Sequence, residues 1–273
     1  MEGTDLMAED WDFLIILDAC RYDMMVDKAP DTWDVKSITS PASESGTFIE
    51  KTFAGRTLHD TVYVTSNPHI KYHTLDFHHI ENLLKTDWDN DLNTVLPADA
   101  IKSMKEMTEK FPNKRVILHM MQPHFPFIGP QGQTFDHGGI EMHLPADEQG
   151  TAPNPWFGIW SGHFDLDDVI GAYVENLEIV LPLVASLVDY LSKEGKTVVT
   201  ADHGNLVGER TRPVPIRTYG HPPFIYHPNL ITVPWVEIHG EQRRTITEQP
   251  PTSADHQMTD EVIDDRLTAL GYK

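Results

Sequence analysis

Three side chains at the ends of two apolar runs carry the clearest chemistry in this sequence. Asp18 closes the run Phe13-Leu14-Ile15-Ile16-Leu17, and Asp202-His203-Gly204 follows Lys196-Thr197-Val198-Val199-Thr200-Ala201. Two carboxylates and an imidazole make a donor set suited to a divalent cation such as Zn, Mn or Mg. Gly204 adds room for close backbone approach. Each aspartate could instead cap the helix that follows its strand. For Asp18 alone the two readings balance; for Asp202-His203-Gly204 the metal is favoured.

For these residues to meet, the two runs must lie side by side. Both are short, continuous and apolar, the pattern of strands buried on both faces of a parallel sheet. Thr61–Thr65 and Arg115–Met120 read as further strands, and Val233–Ile238 as another. A helix should follow Asp18 and end at Pro30, and a second should run from Pro97 to about Phe111. Apolar residues from Ile170 to Leu191 predict a long amphipathic helix interrupted by Pro182, and Thr259–Leu270 predicts a last one closed by Gly271. Strand and helix alternation of this kind predicts a doubly wound, mostly parallel α/β sheet sandwiched by helices, with ligands bound beyond the carboxyl ends of the strands. The whole chain, 1–273, is read as one such domain. Its stretch 129–164, rich in Gly, Pro, His and Trp, is read as a lid or specificity loop without regular structure, with Trp156, Trp160, His137, His143 and His163 as contacts.

Composition narrows the partners. The 273 residues include 42 Asp and Glu against 21 Lys and Arg, a formal charge of −21. Nucleic acid and anionic membrane surfaces depend on clustered cations, so both are excluded as direct partners. A chain of this size buries about three quarters of its unfolded surface and needs no metal merely to fold. One cysteine, Cys20, allows no internal disulfide, no apolar run approaches a membrane span, and the first residues lack a signal-peptide pattern. The expectation is a cytoplasmic protein whose acidity solvates its surface as in halophilic proteins, and whose activity on anions rises as salt screens the repulsion. The oligomeric state is open.

Leu17-Asp18-Ala19-Cys20-Arg21-Tyr22-Asp23, His119-Met-Met-Gln-Pro-His124-Phe-Pro, Thr200-Ala201-Asp202-His203-Gly204 and the closing Leu267-Thr-Ala-Leu-Gly-Tyr272 occur in an order that resembles the sulfatase-like branch of the alkaline phosphatase superfamily. That resemblance implies hydrolysis or transfer of a phosphate or sulfate ester through a covalent intermediate, on a small-molecule or glycan substrate, with one divalent ion (Mn, Zn, Mg or Ca). It implies Asp18, Asp202 and His203 as ligands and a nucleophile at a helix N-terminus between the first two strands. The hydroxyl cluster Ser40 to Thr47 is the candidate stretch, with Ser45 first, Thr47 second and Ser43 third. Free backbone N–H groups there would help to hold the anion, although an ordinary helix cap explains the same residues.

By the same resemblance His124 contacts substrate or protonates the leaving group, and His221 binds substrate or completes a second metal site with His119 and His124. Arg21 offers its guanidinium to the anion, or pairs with a neighbouring acid. Two departures favour phosphoryl transfer over sulfate hydrolysis. Ser43-Glu-Ser45-Gly46-Thr47 does not fit the formylglycine frame, and Asp18 is followed by Ala19 rather than by a second Asp. Gln122 stands where two-metal members place an Asp, which favours one ion. The alternatives are a non-catalytic anion- or glycan-binding protein of this fold and a two-metal phosphomutase-like isomerase.

Overall fold

The structure, a computed structural model, describes residues 3–135, 154–213 and 215–251. Eleven strands occur among them: β1 Phe13–Asp18, β2 Lys36–Thr39, β3 Thr57–Thr65, β4 Asp76–Asn82, β5 Trp88–Asp89, β6 Thr94–Val95, β7 Arg115–Pro123, β8 Thr197–Ala201, β9 Leu206–Arg210, β10 Arg217–Gly220 and β11 Thr232–Ile238. The helices are α1 Tyr22–Lys28, α2 Ser45–Phe53, α3 Leu83–Thr86, α4 Pro97–Lys110, α5 Pro155–Ser161, α6 Leu166–Leu191 and α7 Pro228–Ile231. Seven strands form one sheet in the order β2-β11-β8-β1-β7-β3-β4. β8, β1, β7, β3 and β4 pair in parallel, and β11 runs antiparallel to both β8 and β2. The expected doubly wound, mostly parallel sheet flanked by helices is therefore borne out.

β1 lies between β7 and β8, so all six of its residues are buried. Its side chains alternate between two cores. Phe13, Ile15 and Leu17 join Val116, Leu118 and Met120 of β7 under α4 and α6. Leu14 and Ile16 join Ile117, Tyr63 and Val198 under Phe48, Ile49 and Phe53 of α2. The period of two then sends Asp18, His119 and Asp202 to the α2 side. That parity brings the polar strand ends to the start of α2.

α6 is 26 residues long and holds Pro182 inside an uninterrupted helix. It is long and apolar enough to cross a bilayer by length and composition. Its apolar stripe, including Leu177, Val180, Val184 and Leu187, is instead packed in the core. Within the stretch expected to be irregular, α5 is a true helix, capped by Asn154, opened by Pro155 and closed by Gly162 in the left-handed conformation. His137, His143 and the expected helix over Thr259–Leu270 lie outside the described residues.

Candidate active site

At the carboxyl end of the sheet, ligand atoms of Asp18, Asp202 and His203 lie within 4.8 Å of one another, all three residues fully buried. Each is held by the local fold. The register of β1 against β7 breaks at Asp18, and Ala19 then takes a positive φ of 57°, rare for a residue with a Cβ. This turn aims the Ala19 N–H at Asp202 Oδ1, 3.0 Å away, and its carbonyl accepts from the Tyr173 hydroxyl. Asp202 Oδ1 also accepts from the His203 N–H at 2.7 Å. Gly204 presses against α7: a Cβ there would come 2.1 Å from the Asn229 carbonyl oxygen, and its N–H donates to Leu230 at 2.7 Å. His203 Nδ1 meets the Gly204 carbonyl at 2.7 Å, which places the proton on Nδ1 and turns the Nε2 lone pair to the carboxylates.

Ser45 is the first residue of α2, and its hydroxyl stands inside this cluster. Oγ lies 2.7 Å from Asp202 Oδ2, 3.2 Å from Asp18 Oδ2 and 3.2 Å from His203 Nε2. The other two hydroxyls considered are elsewhere. Ser43 Oγ donates to the Pro222 carbonyl at 3.1 Å, and Thr47 sits further along the helix with its N–H on Glu44. The N-cap is not a hydroxyl but Glu44, whose carboxylate accepts from Gly46 N at 2.6 Å and Thr47 N at 2.7 Å. The N–H groups expected to await an anionic ester therefore already hold an anion. An acid in the cap position was hidden among the hydroxyls of the sequence.

Asp18 and Asp202 share this buried space without a Lys or Arg partner among the described residues. Burial, and then the Asp202 charge, push the Asp18 carboxyl well above the usual carboxylate range. Asp202 is held below that range: burial opposes this, but His203 and His119 outweigh it. Two buried atoms, Asp18 Oδ1 and His119 Nε2, have no hydrogen-bond partner. Asp18 Oδ1, an orphaned buried carboxylate oxygen beside a second carboxylate, is a donor that a bound cation would satisfy. The donor set fits a divalent ion held by Asp18, Asp202, His203 and the Ser45 hydroxyl.

His119 was read only as a partner in a second metal site. Its Nε2 instead faces Asp202 Oδ2 at 3.5 Å, while its Nδ1 is 2.8 Å from the Tyr63 hydroxyl. Asn67, from a turn in the sequence, donates to Asp18 Oδ2 at 2.9 Å. Strand parity was the signal that could have found His119; none was available for Asn67. Gln122 turns away, its amide donating to Thr94 and Val95.

His124 and His221 roof the site. The His221 ring lies 4.7 Å from that of His203 and 4.9 Å from that of His124. Burial lowers His124 to about 3 and His221 well below its ordinary value. Both are neutral imidazoles here, which counts against His124 as a standing proton donor. Arg21 is outside the cluster. Its guanidinium is clamped by Asp23 at 2.6 and 2.8 Å, Glu209 at 2.6 Å and the Asn205 carbonyl at 2.9 Å. Cys20 is buried with its thiol pushed far up by desolvation, a packed residue rather than a nucleophile.

No protein-family model and no curated protein matches the sequence. Among solved structures, the chain is similar to the soluble domain of lipooligosaccharide phosphoethanolamine transferase A from Neisseria meningitidis, at 10% identity and TM-score 0.53, over 84% of this chain and 76% of that one. It is similar to the C-terminal periplasmic domain of EcEptC from Escherichia coli, at 14% identity and TM-score 0.51, over 88% and 76%. A 2-O GAG sulfatase matches at 12% identity and TM-score 0.51, over 89% and 66%. These neighbours are alkaline phosphatase superfamily members, and this chain has their fold. The resemblance read from the sequence motifs is thereby borne out at the level of the fold.

One expectation is corrected by the same comparison. The cytoplasmic location does not stand, because the E. coli neighbour is a periplasmic domain. Its supports were weak in physical terms: a lone cysteine forms no internal disulfide in either compartment, and surface acidity distinguishes neither.

Proposed function

We propose that the protein transfers or hydrolyses phosphate esters, with Ser45 as nucleophile and one divalent ion held by Asp18, Asp202 and His203. The observation that carries this reading is the Ser45 hydroxyl, 2.7 Å from a buried carboxylate oxygen and 3.2 Å from His203 Nε2. Ser45 Oγ attacks the phosphorus and its proton leaves by way of Asp202 Oδ2, 2.7 Å away, to water. The P–O bond to the ester oxygen then breaks and that oxygen takes a proton from water, leaving a phosphoserine that water or an acceptor alcohol resolves. A divalent ion held by Asp18, Asp202 and His203 would supply charge to lower the hydroxyl pKa and to polarise the ester oxygens. His124 and His221, neutral and buried, offer hydrogen bonds to the ester from above and exclude water. No formylglycine frame surrounds Ser45, which favours phosphate over sulfate.

The test is turnover of 4-nitrophenyl phosphate, bis(4-nitrophenyl) phosphate and 4-nitrophenyl sulfate with Mn or Zn. Phosphate esters should react faster than the sulfate, and Ser45→Ala should abolish turnover while circular dichroism stays unchanged. Full activity in Ser45→Ala would sink the proposal.

A further inference from the structure

A cleft of about 470 Å³ opens between α5 and the hairpin of β9 and β10. Trp156, Phe157, Trp160, Ile216, Tyr219 and His221 are among the residues that line it. The His221 ring is 4.7 Å from that of His203, whose Nε2 is 3.2 Å from Ser45 Oγ. His221 thus belongs both to the cleft wall and to the group of rings over the attacking hydroxyl. We propose that it binds the organic part of the ester, and that this part is an apolar aryl group. The proposal rests on the reading of Ser45 as nucleophile.

The walls decide the class. Trp156 is fixed as a floor by edge-on contacts with Tyr173 at 5.5 Å and Phe127 at 6.4 Å. Phe157 and Trp160 lie 5.7 Å apart at 34° and form one side. Trp160 is 68% exposed, Ile216 59% and Phe157 39%, a cluster of bare apolar side chains on a chain of charge −21. Exposed apolar surface gathered beside a polar centre marks a ligand groove. A sugar ring would need partners for its hydroxyls, and the Asn154 and Thr218 side chains here are already engaged. Asn154 Oδ1 caps α5, accepting from Trp156 N at 2.9 Å. Thr218 Oγ1 lies 3.2 Å from Thr211 Oγ1 and donates to the Ile216 carbonyl at 3.4 Å. Arg217 is exposed in the lining. An aryl group meets these walls by stacking and asks for no hydrogen bonds.

Binding of benzylphosphonate, inorganic phosphate and glucose 6-phosphate, measured by calorimetry with Mn present, tests this in wild type, Trp160→Ala, Ile216→Ser and Ser45→Ala. The expected result is a loss of about tenfold in benzylphosphonate affinity in Trp160→Ala and a smaller loss in Ile216→Ser, with inorganic phosphate unchanged in both. Ser45→Ala should still bind benzylphosphonate. Equal benzylphosphonate affinity in wild type and both cleft variants overturns the proposal, as does tighter binding of glucose 6-phosphate than of benzylphosphonate. Retained turnover in Ser45→Ala overturns the nucleophile instead, whatever the cleft binds.

Discussion

Asp12 precedes β1 and Asp18 ends it, so one buried strand carries an aspartate at each end. At the amino end Asp12 accepts from the Lys196 N–H at 2.8 Å and is gripped by Arg243, which also holds Asp10 at 2.7 and 2.9 Å. Arg244 beside it donates to the carbonyls of Thr108, Phe111 and Lys114 and to Glu194. At the carboxyl end Asp18 faces Asp202 and His203, with one oxygen lacking a hydrogen bond and no Lys or Arg opposite among the described residues. Burial is the same; the counter-charge is not. A buried acid with its cation in the sequence stabilises the fold, whereas one whose cation must come from solution defines a site.

Substitutions can break this contrast. The largest effect belongs to turnover: Ser45→Ala and Asp202→Asn should each lower kcat/KM by about a thousandfold or more, since several kcal/mol of transition-state stabilisation are at stake. Arg243→Ala should leave it within about twofold. Stability should move the other way. Asp12→Ala, which leaves the buried Lys196 N–H without its acceptor and takes one of two acids from Arg243, should cost about 1–3 kcal/mol in urea unfolding. Asp18→Asn, measured with EDTA, should cost nothing or gain about 1 kcal/mol by removing a like-charge contact. Equal losses at both ends would refute the contrast.

Metal addition sharpens it further. Mn at a hundredfold over its Kd should stabilise the wild type by about 2.7 kcal/mol and Asp18→Asn by far less. The smallest effect is on the acid limb of stability. The Arg243 hydrogen bonds hold Asp10 below its ordinary pKa. Its contribution is complete above the unfolded carboxylate value of about 4 and fades as pH falls through the lowered folded value. Both groups are exposed, so solvent screening limits this to a few tenths of a kcal/mol. Arg243→Ala should flatten the pH 2–5 melting profile slightly; an unchanged profile would remove Arg243 from the account.

The central strands were legible because burial on both faces demands unbroken apolar runs, which β1 and β8 supply. β2, an exposed edge, and β4, with His78, His79 and Glu81 among its residues, offered no such run and were missed. α5 was missed although Asn154-Pro155 is a cap followed by a first-turn proline, because the surrounding composition argued for a loop. In the site, the strand-end acids were readable, and His119 was readable by parity with Ile117 and Val198. Asn67 and Glu44 were not, since each acts through a turn or a cap whose partner is set only by tertiary packing.

The place of β1 in the sheet has a consequence for how the protein comes to exist. β1 lies between β7 and β8, and β11 follows on the far side of β8. A growing chain therefore holds Asp18 and Ser45 long before Asp202 and His203 leave the ribosome. Until β8 docks, β1 has an open edge and its acid has no companion. A ribosome-stalled fragment ending before β8 should bind no metal at this site, however well its earlier helices form. Competence to take up the ion would then report that synthesis has passed β8.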